Sequence, residues 1–236
     1  MRDLKLALPR LTPDRAISSF FRMCNRYQNK TMAAEVASYF AVEPQRVMQF
    51  NVGTDVYPNY PGMVIRVEEG VRSLRAMNWG FPVRLKAMKP TSKPKPVNNA
   101  RDDKLLSYMW RSSFEKRRCL IPLTAWAEAE GEKGSMTCTW YSLPGIELFA
   151  VAGIWRPTDE WGDCYSMVMV DGCPQMAEVH DRMPVILTPQ TWSQWTEGTP
   201  DEAMQLVKTC QDELAVERSP ERWGRAATAP MAGPLI

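Results

Sequence analysis

The chain has 236 residues, enough for one large or two small domains around a substantial core. No apolar run approaches the ~20 residues that span a bilayer. Six cysteines without CxxC spacing, beside a single histidine, argue against a Cys/His zinc site. The formal charge is only +2, yet residues 66–118 hold 14 Lys/Arg against 5 Asp/Glu, an excess of +9 that leaves −7 elsewhere. A basic middle of this kind suits a polyanion-facing surface, and equally a solvated lysine-rich loop.

Residues 1–22 carry arginines together with Asp3 and Asp14. Pro9 and Pro13 break any helix, and no signal-peptide apolar core is present. They read as an extension: an early start codon, a removable leader or a genuine arm. With nothing pointing to secretion, the thiols are expected reduced and the protein cytoplasmic. The stretch Met23-Cys24-Asn25-Arg26-Tyr27 follows. If Met23 is removed, Cys24 carries a free α-amine beside its thiol. The amine forms a Schiff base with an aldehyde, and the thiol closes a five-membered thiazolidine on it. An α-amine titrating near ~8 and a thiol near ~8.5 are both partly active at neutral pH. A buried structural cysteine is the plainer reading of the same residue.

Residues 31–40 predict a short helix with Thr31 as its N-cap, and 50–61 a loop. Alternation predicts strands at 63–67 and 71–79 around Glu68-Glu69-Gly70. Residues 82–96, with four prolines and five Lys/Arg, predict an extended basic loop rather than a strand. Asp102 and Asp103 open a predicted helix running to about 116. Short strands are expected at 119–121, 125–129, 136–142, 148–155, 165–170 and 184–187, with turns marked by glycine. Helices are expected near 174–179, 189–196 and 200–214, followed by a disordered tail over 216–236. The whole predicts an α+β single domain, residues 23–215, with a mostly antiparallel, partly closed β-sheet/barrel core and peripheral helices.

Three further places carry chemistry. His180, in Glu178-Val179-His180-Asp181-Arg182, is suited to move protons at neutral pH. In Asn99-Ala100-Arg101 the amide can bind a sugar hydroxyl and the guanidinium a phosphate, unless the segment is simply a helix-entry turn. Glu128, in an apolar strand, tends toward a raised pKa and a proton-shuttling role, unless it faces outward.

Their order along the chain resembles the SRAP (SOS-response-associated peptidase) family, whose members shield abasic sites in single-stranded DNA. MCNRY resembles the family's MCGRF start, VNNAR its NAR motif and RCLIPLTAWAE its RCLIP…FYEW segment. HDRMPVIL is similar to its final motif nearly letter for letter, and WGFP looks like a shortened WGLIP turn. The resemblance implies Cys24 as the crosslinking nucleophile, Asn99 as the sugar-positioning group, and Glu128 and His180 as proton carriers. It implies Arg26, Arg101 and Arg182 on phosphates, and Trp79 and Trp126 as base-stacking platforms. It implies no metal or organic cofactor, no membrane and a monomer partnered by abasic single-stranded DNA. Asn25 stands where the family has glycine, Thr124-Ala125 where Asp-Gly is common, Ala127 where it has tyrosine and Ala129 where it has tryptophan. The extension before Cys24 is the largest departure. Two other functions stay open: a thiol autopeptidase cutting before Cys24, and a non-covalent single-strand binder that keeps the extension.

Overall fold

The computed structural model describes residues 24–84, 87–89 and 91–224. The expected extension at 1–22 and the chain from 225 lie outside the described residues. The order begins β1 (Arg26–Gln28), α1 (Ala33–Tyr39), β2 (Asp55–Val56), β3 (Pro61–Glu68) and β4 (Val71–Trp79). Short β5 (Phe81–Val83), β6 (Lys95–Val97) and β7 (Asn99–Arg101) lead to α2 (Arg111–Lys116). Then come β8 (Arg118–Leu123), β9 (Ala125–Glu130), β10 (Thr137–Ser142), β11 (Phe149–Thr158) and β12 (Gly162–Asp171). β13 (Arg182–Pro184), β14 (Ile186–Leu187), α3 (Trp192–Glu197), α4 (Pro200–Met204) and β15 (Ala215–Arg222) complete it. Among the described residues no helix is long and apolar enough to cross a membrane.

The architecture is α+β, with two large sheets on one core and a two-stranded β5–β6 sheet beside them. Glu69 and Gly70 both take positive φ, 55° and 76°, giving the two-residue turn whose twist matches a hairpin; β3 and β4 therefore pair along their length. β4, β3, β8 and β11 pair antiparallel in that order, and β12 joins β11 to β4, closing a five-stranded ring. Every residue of β8 is buried, as expected of a strand covered on both faces. β7, β13 and β14 attach to the ring. The second sheet runs β15-β10-β9-β1-β2. Tyr27 of β1 and Tyr165 of β12 meet across the seam between the sheets, hydroxyl to hydroxyl at 2.5 Å. Gly62 lies over that contact because a Cβ there would strike both hydroxyls.

Four expectations change. The basic loop is zipped at its ends, since β5 pairs with β6, Phe81 opposite Val97 and Val83 opposite Lys95. Residues 102–116 are not one helix: Asp102–Lys104 is a 3-10 turn and α2 starts at Arg111. Leu106 and Tyr108 point to solvent, so the apolar spacing there follows turns. The last helix stops at Met204, after a capping box between Thr199 and Glu202. The following segment is instead drawn onto the β12 exit, through Thr209 Oγ1 to the Asp171 carbonyl and Leu214 N–H to Gln175. The tail expected from 216 begins as β15, an edge strand on β10 with an irregularity that carries Pro220 outside the ladder.

Arg118 shows how the helices are held to the ring. Its buried guanidinium donates to the carbonyls of Phe114 (2.6 Å), Glu115 (3.1 Å), Trp195 and Gly198, at the C-terminal ends of α2 and α3. These are the carbonyls that helix ends leave unpaired. Arg118→Met keeps the stem and orphans the acceptors, so it is expected to cost ~3 kcal/mol or more, read from urea midpoints; a loss within ~0.5 kcal/mol would rule out this capping role.

Candidate active site

Cys24 enters β1 at the seam and is fully buried. Its carbonyl accepts two hydrogen bonds, from Asn99 Nδ2 at 2.7 Å and Asn98 Nδ2 at 2.9 Å. Both asparagines are buried at the β6–β7 junction, where β7 runs parallel to β12 with Asn99 opposite Met167. Asn98 Nδ2 also lies 3.1 Å from Asn25 Oδ1, so one side chain grips two consecutive residues. Trp79 Nε1 donates to the Asn98 carbonyl at 2.9 Å and holds this grip from behind. Burial pushes the Cys24 thiol well up from its ordinary range, and the neighbouring Glu128 charge adds to that.

Glu128 is carried by β9, whose register sets Trp126 opposite Tyr27 and Ala127 opposite Arg26. Period-two alternation therefore turns Trp126 and Glu128 inward with Tyr27, and Arg26 and Ala127 to the other face. The Glu128 carboxyl is buried, and burial first, then the charge of Asp181, raise its pKa well above the carboxylate range. Its Oε2 is 3.9 Å from His180 Nε2. The Arg182 backbone N–H lies 2.9 Å from His180 Nδ1 and the Arg182 carbonyl 3.1 Å from the same nitrogen, which fixes the ring with Nε2 toward Glu128. Among the described residues Glu128 Oε1 and Asn99 Oδ1 have no hydrogen-bond partner. Buried acceptors in this state are rare in folded proteins.

Four stretches far apart in sequence thus converge: Cys24, Asn99, Glu128 and His180 form one continuous buried cluster. The expected DNA-facing residues do not share it. Trp79 and Trp126 have no exposed face, because both fill the core between the sheets; Trp126 stacks on Tyr141 at 5.5 Å. The expectation of stacking platforms at these two positions is corrected accordingly. Arg26 is buried as well, with Nε and Nη2 on Asp55 (2.9 and 2.7 Å) and Nη1 on Glu221 (2.6 Å). Arg182 is bound to Asp102 at 2.9 Å and Asp171 at 3.2 Å. Arg101 lies at the surface, forked onto Asp103. Much of the basic middle is likewise spent internally, Arg66 on Glu68 and Asp163 and Arg75 on Glu68; Lys89 and Lys93 between β5 and β6, and Lys95 at the start of β6, stay exposed. Asn98 was missed by sequence reasoning, and the doubled asparagine in VNNAR was its only signal.

Known proteins resemble this chain in sequence and in fold. The family profile described as SOS response associated peptidase (SRAP) matches residues 23–222. Abasic site processing protein YMR114C of Saccharomyces cerevisiae is 24% identical over 178 residues, 71% of this chain and 48% of that protein. The chain thus spans about half the length of the yeast relative. Abasic site processing protein YoqW of Bacillus subtilis is 24% identical over 189 residues, 73% of this chain and 80% of that protein. A solved structure from Bordetella bronchiseptica shares the fold with a TM-score of 0.69 at 23% identity, covering 83% of this chain and 99% of that one. One from Bacteroides thetaiotaomicron gives 0.68 at 19%, covering 85% and 97%.

Proposed function

Because this chain belongs to the SOS response associated peptidase family, we propose that it captures abasic sites in single-stranded DNA through a thiazolidine on Cys24. The observation that carries the reading is the convergence of Cys24, Asn99, Glu128 and His180. The yeast and Bacillus relatives, both abasic site processing proteins by name, supply the substrate class.

The chemistry requires an unacylated amine on Cys24, reached either by translation from Met23 and removal of that methionine or by cleavage after it. The amine nitrogen bonds to C1′ of the ring-opened sugar while the aldehyde oxygen takes up a proton. That oxygen leaves as water, giving an imine. Sγ then bonds to C1′ and the thiol proton ends on nitrogen. One water is lost and nothing is oxidised or reduced. Glu128, held protonated by its surroundings, would give the proton that makes hydroxide leave as water. His180 would open the sugar ring and assist reversal through Nε2. Asn99 would hold the nucleophile with Nδ2 and receive the hydroxyl freed on ring opening at Oδ1. The exposed lysines of the β5–β6 loop suit flanking phosphates. An abasic nucleotide has no base to unpair, so presenting its sugar costs little.

Protein beginning at Cys24, mixed with uracil-excised single-stranded DNA, is expected to give a band that survives a denaturing gel; its absence would end this reading. A thiol autopeptidase reading supplies the preceding step from the same cluster: Sγ adds to the carbonyl before Cys24, the C–N bond breaks as the nitrogen takes the thiol proton, and water hydrolyses the resulting thioester to free both the thiol and the leader. Intact mass tests it: the full chain should lose residues 1–23 on incubation, and a mass that persists excludes it.

A further inference from the structure

Along the second sheet, between α1, the β10–β11 loop and β15, runs a trough of about 1420 Å³. It opens into an apolar hollow of about 300 Å³ walled by Ile186, Leu187 and Trp192. Tyr39, Leu143 and Ile146 line both, so the two are continuous. Among the described residues seven large apolar side chains are exposed, and three of them, Tyr39, Ile146 and Val216, stand on this one floor. Such clustering marks a contact surface rather than scattered exposure. The rim is acidic. Glu35, Glu147 and Glu217 border the trough and Asp212 and Glu213 the hollow, and among the residues lining them Lys30 is the one cation. Glu221 also lies there, engaged by Arg26. An excess of this sign repels DNA phosphates and favours a cationic occupant with apolar side chains.

The chain itself supplies such an occupant. Residues 1–22 carry five Lys/Arg against two Asp, and in Leu4-Lys5-Leu6-Ala7-Leu8 every second residue is leucine. Drawn out, that alternation puts three leucines on one face and Lys5 on the other. The near end of the trough is Gln28, four residues along β1 from Cys24, or ~13 Å. Residues 9–23, up to ~50 Å when extended, are ample to return that far. We propose that residues 1–22, while joined to Cys24, dock in this trough, with the leucines on its floor and Lys5 and Arg10 on its acidic rim. A tether of this length supplies an effective concentration of ~1 mM, so even a weak contact keeps the leader seated. The seated leader stays clear of DNA phosphates and holds the Met23–Cys24 bond at the Cys24 cluster. The proposal goes beyond the abasic-site reading and does not rest on it.

The test uses a rhodamine-labelled peptide of residues 1–22 and protein beginning at Cys24, read by anisotropy. Binding should saturate with a Kd below ~1 mM and weaken as salt rises. Glu147→Lys with Glu217→Lys should weaken it about tenfold, the worth of two reversed surface charges. Glu132→Lys with Glu160→Lys, away from the trough, should change it less than about twofold. A scrambled peptide of the same composition should bind more weakly. In the full chain Cys24→Ala keeps the leader attached, and trypsin should cut within residues 1–22 severalfold more slowly than when the trough charges are also reversed. Equal urea midpoints show that the variants fold. No saturation by ~1 mM, a scramble bound as tightly, equal loss in both double variants, or a leader cut at the same rate each overturns the proposal. A full chain that sediments as a dimer until the trough charges are reversed overturns it too, giving the trough to a second copy. Abasic capture is read on the same preparations: capture without peptide binding sinks the docking alone, and peptide binding without capture sinks the abasic-site reading alone.

Discussion

Cys24→Ala, in protein beginning at that position, is expected to abolish the heat-stable adduct while an imine still forms and is trapped by borohydride. The two nucleophiles of the residue are separable because only the α-amine makes the first bond. The substitution leaves the backbone carbonyl in place, so both asparagine hydrogen bonds at 2.7 and 2.9 Å persist and the amine keeps its address. What is lost is ring closure by sulfur, and a hydrolysable imine does not survive a denaturing gel. Acetylating the amine should remove both products. A heat-stable band from Cys24→Ala would assign the bond to another group, and the mechanism would have to be abandoned.

Glu128→Gln should move rate and stability in opposite directions. Loss of the acid is expected to slow imine formation by about 10²–10⁴-fold, the usual worth of a positioned proton donor, which single-turnover gels would show. The same substitution should stabilise the fold, increasingly so at higher pH. Burial raises the Glu128 pKa, so the folded chain binds this proton more tightly than the unfolded chain does. The carboxyl's favourable contribution is complete below its unfolded value of ~4.3 and is lost as pH rises toward the raised folded value, at up to ~1.4 kcal/mol per pH unit. Glutamine does not titrate. Urea midpoints of the two proteins should therefore diverge as pH rises above the unfolded carboxylate value of ~4.3; a constant gap would show that Glu128 is not a buried acid.

The hairpin of β3 and β4 was legible because local rules suffice there: alternation, then two residues able to take positive φ. The helix expected over 102–116 failed because leucines and aromatics at helical spacing also arise from consecutive turns, and which of them meets the core is decided by strands far away. Trp79, Trp126 and Arg26 failed for a related reason. A strand's period of two says which residues share a face, not which face is covered; that depends on the second sheet. Arg26 looked free for phosphate because its partners, Asp55 and Glu221, sit 29 and 195 residues away. β15 looked disordered because its pairing is supplied entirely by β10. The cluster of Cys24, Asn99, Glu128 and His180 was legible only through motif order, since no local pattern brings four such distant stretches together.

The site is divided between the two layers: Cys24 and Glu128 belong to the sheet of β1 and β9, Asn99 and the His180–Arg182 turn to strands fastened on β12. The tyrosine pair joins those layers directly behind the nucleophile. That contact ties the layers directly, so a mutation that parts them, however remote, draws Cys24 and Glu128 away from Asn99 and His180 at the same time as it loosens the fold.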